Sequence, residues 1–484
     1  MHSETPKIEP IVPAYRLRVL SDEQLAQFWS ATLEILAEVG VHCPSERARA
    51  IYAEHGAQVD RTSQIVKLPP DVVVAAMSHA PRFYTMAARL PEFDLRLDGT
   101  AMYCATDGCG VETIDFATRH RRPSLKADVA AMARVADGLS SIGFYWPIVS
   151  AQDYPATAPL HELDAAFNNT VKHVQTETVM GETMARYAVE MADVIAGDAQ
   201  TRRKRPPLSS LVCTIAPLGQ DKEGMEAALT FAAAGLPVGF MSMATTGSTA
   251  PATIAGTIAQ ADAEIVAAMV LIQMAYPGAP VYHSLMTGVM HPRTGGWIGT
   301  SWEADLAYVV GVELAHMWGV PTLAGVFGTD AQTPGWQQAA DAAVALALCA
   351  LCGAETGSGL GLLESCTLLY PESIVLDSDV YHRVRADLAG LDTGREALAL
   401  EVIKEVGPRG HFLRQKHTRD HMRRLRFSDL TGQPDEKGGY RDPVEVARER
   451  VAHILASHHP RPLETAQQTE LSRILSAAER EKAA

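Results

Sequence analysis

Residues 235–240 read GLPVGF, and the same arrangement returns as GAPVYH at 278–283 and GVPTLA at 319–324. In each stretch a glycine ends a helical pattern, and a proline leads into a short apolar run. Glycine commonly ends helices, and a continuous apolar run of this length is typical of a strand buried in a parallel sheet. The three stretches therefore predict helix-to-strand junctions of an α/β fold.

Outward from these junctions, short apolar or β-branched runs alternate with helical patterns of roughly 12–20 residues. Eight strand-then-helix units in succession are typical of a (β/α)8 TIM barrel. The eight predicted strands are AMYCATDG (101–108), SIGFYWPIVS (141–150), KHVQTETV (172–179), LSSLVCTIAP (208–217), PVGFMSMATT (237–246), PVYHSLMTGV (280–289), PTLAGVFGT (321–329) and ETGSGLGLLES (355–365).

The chain is predicted to have three parts. Residues 1–100 form an N-terminal helical cap, whose first helix starts at a capping box of Ser21 and Gln24 and stops at Gly40. Residues 101–380 form the barrel. Residues 381–484 form a C-terminal helical extension, and its polar tail is expected to pack on the body or on a neighbouring subunit.

The composition excludes several classes of function. A net charge of −15 over 484 residues argues against binding nucleic acid through its phosphates. Seven cysteines, an odd and sparse set, favour a reducing, cytoplasmic setting. The start MHSETPKIEP has neither the basic nor the apolar region of a signal peptide. The apolar run 264–276 is too short to span a membrane and is expected to be a buried core helix. We therefore expect no membrane partner.

In a barrel of this kind, the chemistry lies on the loops that follow the strands. Four of the six tryptophans, Trp146, Trp297, Trp302 and Trp336, fall at or just after predicted strand ends. Each alone is most simply explained by packing, but four on one face favour a pocket for a quaternary ammonium group, which aromatic faces bind by cation–π attraction. Other side chains at the strand ends are Tyr145, His173, Gln175, Glu177, Thr245, Thr246, Tyr282, His283, His291, Glu303, Phe327, Asp330, Gln332 and Glu364.

Two further motifs suggest other sites. GSGLG at 357–361 resembles a phosphate-binding loop, but no Lys or Arg lies between Arg293 and Arg383 to assist it. Cys349 and Cys352 have the spacing of half a zinc site, yet they sit in an apolar helix with no second cysteine pair. Packing is the simpler explanation, and no metal site is predicted.

Several longer stretches resemble the trimethylamine methyltransferase (MttB) superfamily, specifically its members without pyrrolysine, such as the glycine betaine:corrinoid methyltransferases. The resemblance covers about residues 20–430. The stretches are LEILAEVGVHCPSERA (33–48), GAQVD (56–60), APRFYTMAARLPEFDLRLDG (80–99), FGTDAQTPGWQQAAD (327–341), LYPESIVLDSDVYHRVR (369–385) and GHFLRQKHTRDHMRR (410–424).

The resemblance implies a (β/α)8 barrel that moves a methyl group from a quaternary amine to the cobalt(I) of a corrinoid carried by a partner protein. The trimethylamine branch carries pyrrolysine at a position in or beside 330–336, where this chain has ordinary residues. A quaternary amine such as glycine betaine is therefore the expected substrate. The leaving amine is neutral, so no general acid is needed.

Strand-end position suggests the roles of individual residues. Asp330 or Glu303 would balance the ammonium charge, and His173, His283 or Gln332 would bind a substrate carboxylate. The corrinoid would approach Gly359 of GSGLG and Glu364, although these glycines serve tight turns equally well. The aromatic cage would be formed by Trp297, Trp302, Phe327, Trp336 and Tyr282.

Two other functions stay open at this point. One is a barrel that binds quaternary amines without transferring a methyl group. The other is a phosphate-handling lyase or isomerase, against which the missing cation near GSGLG argues. Self-association is expected from the helical tail.

Overall fold

The computed structural model describes residues 3–483, with the side chains of Trp302 and Ala483 left out of the description. Eight parallel strands form the centre of the molecule, and each lies inside one of the eight predicted runs. The barrel strands are β1 (Tyr103–Thr106), β2 (Ile142–Tyr145), β3 (His173–Thr176), β4 (Leu208–Ile215), β5 (Val238–Ser242), β6 (Val281–Leu285), β7 (Leu323–Ala324) and β8 (Thr356–Leu360).

The strands close on themselves in sequence order. Each of β1 to β5 pairs in parallel with the next strand, and β8 pairs with both β7 and β1. An isolated parallel bridge between His283 and Thr322 joins β6 to β7 and completes the ring. The predicted TIM barrel is confirmed. The observed strands are shorter than the predicted runs because the apolar residues that follow a strand continue into the loops above the barrel.

A helix follows every barrel strand and packs on the outside of the ring. The long helix Ile254–Ala275 has the length and composition of a membrane span, but 83% of its most apolar stretch is buried in the protein. It is the core helix expected from 264–276. The eight helices are Lys126–Asp137, Ala158–Asn169, Glu182–Ala196, Lys222–Ala234, Ile254–Ala275, Trp302–Met317, Trp336–Cys352 and Ser373–Leu388, with the short Ala199–Lys204 before β4.

The N-terminal part contains the expected helices and also short strands. The Ser21–Gln24 capping box starts the first helix, and Gly40 follows its last, π-helical turn. Strand Val41–His42 pairs with Gly219–Gln220, which folds back on the end of β4, so this part joins the barrel sheet. The helices are Asp22–Glu34, Ile35–Val39, Glu46–Glu54, Pro70–Met77 and Pro91–Phe93, and the remaining strands are Gln58–Asp60, Ile65–Lys67, Tyr84–Met86 and Leu95–Leu97.

The hairpin of Tyr84–Met86 and Leu95–Leu97 covers the amino ends of the barrel strands. Its Ala87 and Arg89 amides donate to the carbonyls of Pro206 and Val171, which lie just before β4 and β3. Because this end is closed, the opposite, carboxyl end is where a ligand can enter.

Two small sheets stand on the carboxyl end of the barrel. One pairs Thr245–Thr246 with Gly288–Met290 and Trp297–Ile298, after β5 and β6. The other joins the loops after β1 and β8, so it bridges the two ends of the barrel sequence. Its strands are Glu112–Ile114, Arg121–Pro123, Leu362–Leu363 and Leu368–Leu369.

The predicted boundary at 380 falls inside helix Ser373–Leu388, which packs on the barrel as its eighth helix. The last helix packs on the body: Glu481 accepts from the Tyr187 hydroxyl and pairs with Arg186. The helices after residue 390 are Arg395–Leu398, Leu400–Val406, Lys416–Met422, Pro443–Ser457 and Thr465–Ala483.

Candidate active site

A recess at the carboxyl end of the barrel gathers side chains from four strand ends. Asp107 and Cys109 follow β1, Glu177 follows β3, Cys213 lies near the end of β4, and Cys366 comes from the loop after β8. Solvent reaches Cys109, Glu177 and Cys213, although protein surrounds all three side chains. That combination is expected for the floor of a deep opening. The recess therefore lies where barrel enzymes place their chemistry.

The local sequence explains how the floor is built. In DGCG (107–110), Gly108 lies under the Trp146 ring, and a β-carbon at Gly108 would come within 1.6 Å of the indole Nε1. Only glycine allows this contact, which lets the chain turn directly beneath Trp146. The turn brings Asp107 and Cys109 together, and the Cys109 thiol donates to Asp107 Oδ1 at 3.4 Å.

Cys366 reaches the recess through an unusual turn. Glu364, Ser365 and Cys366 have φ values of 51°, 54° and 67°, so three successive non-glycine residues adopt the left-handed conformation. Such residues normally occur singly because the β-carbon crowds the next carbonyl. The Glu364 and Ser365 amides donate to the carbonyls of Ala331 and Thr329, which ties the turn to the loop after β7.

The recess is acidic and poorly solvated. The pKa of Glu177 is raised to about 7, mainly by burial and in smaller part by the nearby carboxylates Asp107 and Glu162, while a hydrogen bond from the Cys213 thiol at 3.0 Å opposes the shift. Burial also raises the pKa of Asp107. A cation bound here would favour the ionised form of both carboxyl groups.

A second opening, an exposed groove of about 520 Å³, lies beside the recess between the loops after β6, β7 and β8. It unites the predicted residues Trp297, Asp330, Gln332 and Glu364. The other lining residues are His291, Ile298, Thr300, Gln337 and Ser365.

Asp330 ties these loops together. Its carboxylate accepts from the Thr300 hydroxyl at 2.8 Å, from the Thr300 amide at 3.3 Å and from the Ser365 hydroxyl. These partners occupy both carboxylate oxygens. The geometry therefore indicates a positioning role for Asp330, since it holds the turn that carries Cys366.

A cationic side chain that is distant in the sequence lies beside the same groove. Arg121, from the hairpin after β1, pairs with Glu364 at 3.0 Å and also with Glu112. The stretch from 294 to 382 lacks Lys and Arg, but the fold supplies Arg121 from 243 residues away. Glu364 is therefore part of an ion pair.

The five predicted cage residues do not form one pocket among the described side chains. Trp297 is half-buried, with its ring against Gly288 and Gly299, and lines the groove. Phe327 and Tyr282 are buried, and the Tyr282 hydroxyl donates to Gln175 at 2.9 Å inside the barrel. Trp336 is 84% exposed, and the side chain of Trp302 lies outside the described part of the chain.

The two histidines predicted to bind a carboxylate are structural, which corrects that prediction. His173 is the first residue of β3, at the closed end of the barrel, and its nitrogens bond Ala87 O at 2.8 Å and Ser209 Oγ at 2.9 Å. His283 points out of the barrel and bonds Asp262 at 2.9 Å. Both are fully buried. Successive strand residues point to opposite faces of the sheet, and the sequence pattern did not show which face each histidine takes.

Gly359 also differs from its predicted role. A β-carbon there would lie 2.8 Å from the backbone of Phe327 and Gly328, so protein fills the space beside it and a macrocycle cannot approach. GSGLG forms β8 itself and is buried, which removes the basis for a phosphate loop. Glu303 is exposed in the first turn of helix Trp302–Met317.

Four residues of the recess are not predicted from the sequence, namely Asp107, Cys109, Cys213 and Cys366. A signal was present for two of them, because DGC follows the first predicted strand directly. Cys213 lies within an apolar strand. The position of Cys366 depends on a left-handed turn at 364–366, which the residue types Glu, Ser and Cys do not predict.

Comparison with known proteins shows which sequences the chain resembles. The profile of the trimethylamine methyltransferase (MTTB) family matches residues 2–483. The trimethylamine methyltransferase MttB of Desulfitobacterium hafniense (strain DSM 10664 / DCB-2) is 30% identical over 457 residues, covering 93% of this chain and 92% of the relative. The glycine betaine methyltransferase of D. hafniense (strain Y51) is 27% identical over 461 residues, covering 94% and 95%.

Among solved structures, the monomethylamine methyltransferase MtmB of Methanosarcina barkeri superposes with a TM-score of 0.47 at 11% identity, covering 96% of this chain and 93% of that one. The profile match spans nearly the whole sequence, from the N-terminal helices to the last helix. The chain therefore belongs to the trimethylamine methyltransferase (MTTB) family.

Proposed function

We propose that the chain transfers a methyl group from a quaternary amine, of the betaine class, to the cobalt(I) of a corrinoid carried by a partner protein. The observation that carries the proposal is the acidic recess, where Asp107 and Glu177 lie poorly solvated at the open end of the barrel. A glycine betaine methyltransferase among the relatives supports the substrate class.

The recess suits a permanent cation. Bringing an ammonium group beside Glu177 and Asp107 replaces repulsion between carboxylates with attraction in surroundings that screen charge poorly. Trp146 packs against Gly108 of the floor and is 3% exposed. A quaternary ammonium has no N–H to donate, so carboxylate charge and ring faces are the groups that hold it.

The rim of the opening suits a partner that delivers the corrinoid. Exposed apolar side chains follow five of the strands around the carboxyl end of the barrel, and apolar clusters of this kind mark binding surfaces. Cobalt(I) supplies the nucleophile when the corrinoid is bound there. The rim side chains are Val111, Met180, Ile215, Met243 and Trp336.

The recess residues bind and orient the substrate. The C–N bond breaks with both electrons on nitrogen, so the product is a neutral tertiary amine and no proton has to be supplied. Because the positive charge on nitrogen falls during transfer, Asp107 and Glu177 stabilise the bound substrate at least as well as the transition state. Their contribution is therefore to aim one methyl group out of the recess.

The test is methyl transfer from a panel of betaines, choline and trimethylamine to cob(I)alamin, followed by methylcobalamin absorbance. Transfer from a quaternary amine is expected, and Glu177→Gln should weaken substrate binding. Glu182→Gln, at the exposed first residue of the helix that follows, should not. Binding without transfer would show a quaternary-amine-binding protein instead. If the protein binds no member of the panel and transfers no methyl group from any of them, the proposal is overturned.

The state of the cysteines bears on the cellular compartment of the protein. All seven cysteines are free in the structure, and Cys109 is exposed. We propose that the protein works in the cytoplasm, where exposed thiols stay reduced.

A further inference from the structure

We infer that Asp107, Cys109 and Cys366 form a zinc site with one open coordination position at the barrel mouth. One possible ligand atom from each residue lies within 4.8 Å of the other two. The site uses residues that are 257 positions apart in the chain, so the sequence gives no motif for it.

An unpartnered oxygen marks the site as incomplete. Asp107 is 3% exposed, and its Oδ2 has no hydrogen-bond partner among the described residues. Its other oxygen, Oδ1, accepts from the Gly108 amide at 2.7 Å and from the Cys109 thiol at 3.4 Å. A buried carboxylate oxygen without a partner costs free energy, and a bound cation would remove that cost.

The ligand types favour zinc over calcium or magnesium. Two thiolates and one carboxylate are a donor set for zinc, whereas calcium and magnesium take oxygen ligands alone. In tetrahedral coordination the sulfur atoms would lie roughly 3.8 Å apart, and each sulfur would lie roughly 3.6 Å from the carboxylate oxygen. Cys109 Sγ lies 3.4 Å from Oδ1, the other oxygen of the same carboxylate, so the thiol already lies beside this group.

Solvent access to Cys109 and the number of protein ligands also suit a zinc ion. Cys109 is exposed in the recess, so a metal ion can enter from solvent, and both thiols would release their protons to water on binding. Three protein ligands leave a fourth position for water or a substrate donor atom, as in catalytic zinc sites. The left-handed turn that delivers Cys366 is the kind of strained geometry found at functional sites.

The experiment measures zinc bound by the reduced full-length protein, by mass spectrometry after equilibration with equimolar zinc and gel filtration. About one zinc per chain is expected, with at least a tenfold weaker affinity in Cys109→Ser and in Cys366→Ser. Cys352→Ser, at the end of helix Trp336–Cys352, is the matched control and should keep the zinc. Zinc retention in both recess variants, or no zinc in the unaltered protein, would overturn the site.

A second measurement needs no variant. Zinc should slow the alkylation of Cys109 in the unaltered protein at least tenfold, and cobalt(II) in its place should show thiolate-to-cobalt absorption. Equal alkylation with and without zinc contradicts the site. Neither readout depends on methyl transfer, so failure of the zinc site and failure of the proposed activity are distinguishable.

A separate observation concerns residues 391–427, called the arm here. Every residue from 389 to 429 is described, and none of them is buried. The arm nevertheless exposes large apolar side chains, among them Leu391 at 87%, Leu413 at 79% and Phe427 at 76%. Its three helices have 4, 7 and 7 residues, and helices that short are not stable without packing.

The arm has the opposite charge from the rest of the chain. Residues 407–427 contain seven Lys or Arg and one acidic residue, in a protein whose net charge is −15. The rest of the chain is therefore acidic overall, which gives another copy a net charge complementary to that of the arm. From this charge and the exposed apolar side chains we propose that the arm packs on a second copy of this chain.

The test is the mass of the protein in solution, by light scattering during gel filtration. A dimer or larger closed assembly is expected, and the double variant Leu413→Asp, Phe427→Asp should be a monomer. Val74→Asp, at an exposed position of helix Pro70–Met77, should not change the mass. A monomeric unaltered protein, or an unchanged mass in the double variant, would overturn the proposal.

Discussion

Glu177 is the residue in the recess whose charge changes near neutral pH. Its pKa is raised from 4.5 to about 7, first by burial and then by Asp107 and Glu162. Above pH 7 the ionised, buried Glu177 lowers the stability of the folded protein, because the same carboxyl group ionises in water without this cost in the unfolded chain. A bound cation offsets that cost, which links the unusual pKa to substrate binding.

Affinity for a quaternary ammonium ion should therefore rise with pH. The ionised form of Glu177 binds the cation, so affinity falls as pH drops below about 7. With this pKa, binding at pH 6 should be about tenfold weaker than at pH 8. Calorimetry with glycine betaine at the two pH values measures the difference.

Glu177→Gln is the variant that isolates the effect, because the amide keeps the shape and removes the titration. It should bind more weakly at pH 8 and show little difference between pH 6 and pH 8. Glu182→Gln is the matched control and should keep the tenfold change. Equal pH dependence in both variants would show that Glu177 does not control binding.

The helix Ile254–Ala275 shows how single elements hold the barrel and the N-terminal part together. Its Asp262 is fully buried and accepts from the Thr32 hydroxyl at 2.6 Å, from Trp318 Nε1 at 3.0 Å and from His283 at 2.9 Å. These partners come from the first helix, from the end of helix Trp302–Met317 and from β6. One carboxylate thus joins three separate elements.

Asp262→Ala should lower the free energy of unfolding by about 3–5 kcal/mol, because buried donors lose their acceptor. Urea unfolding followed by tryptophan fluorescence measures it, since Trp318 stacks on Trp29 with centroids 4.2 Å apart. Asp22→Ala in the first helix is the control, since that carboxylate is 91% exposed and pairs only with Arg18. Its cost should stay below about 1 kcal/mol, and equal costs would contradict this role for Asp262.

The loops of the carboxyl end also act as connected elements. The turn at 364–366 is bonded to the loop after β7, and the small sheet after β8 pairs with strands that follow β1. These contacts bring the first and last units of the barrel to one place. The recess and the groove therefore depend on barrel closure and not on any one loop.

At the scale of the molecule, charge is distributed unevenly. The chain carries −15 overall and the recess holds two carboxylates with raised pKa values, whereas residues 407–427 of the arm hold seven Lys or Arg and one acidic residue. An acidic surface attracts a cationic substrate over distances of about 10 Å at ordinary ionic strength. The end of the arm is tied to helix Ser373–Leu388, where Ser428 donates to Asp379 at 2.9 Å.

The barrel can be predicted from the sequence alone. The runs such as GLPVGF and GAPVYH mark eight buried parallel strands, because helix ends and apolar runs are local signals that survive in any surroundings. The capping box at Ser21 and the buried helix after β5 are predicted for the same reason. Family membership also followed from contiguous motifs.

Which side chains meet depends on the folded molecule and cannot be predicted from local sequence. Strand-end position pointed to Trp297, Asp330, Gln332 and Glu364, which do share a groove, but it could not show that His283 faces outward or that Phe327 is buried. A strand residue faces the barrel interior or its helices according to register, and a one-residue difference reverses the direction. The recess of Asp107, Cys109, Glu177, Cys213 and Cys366 exists because closing the ring brings β8 beside β1, a contact that no local pattern encodes.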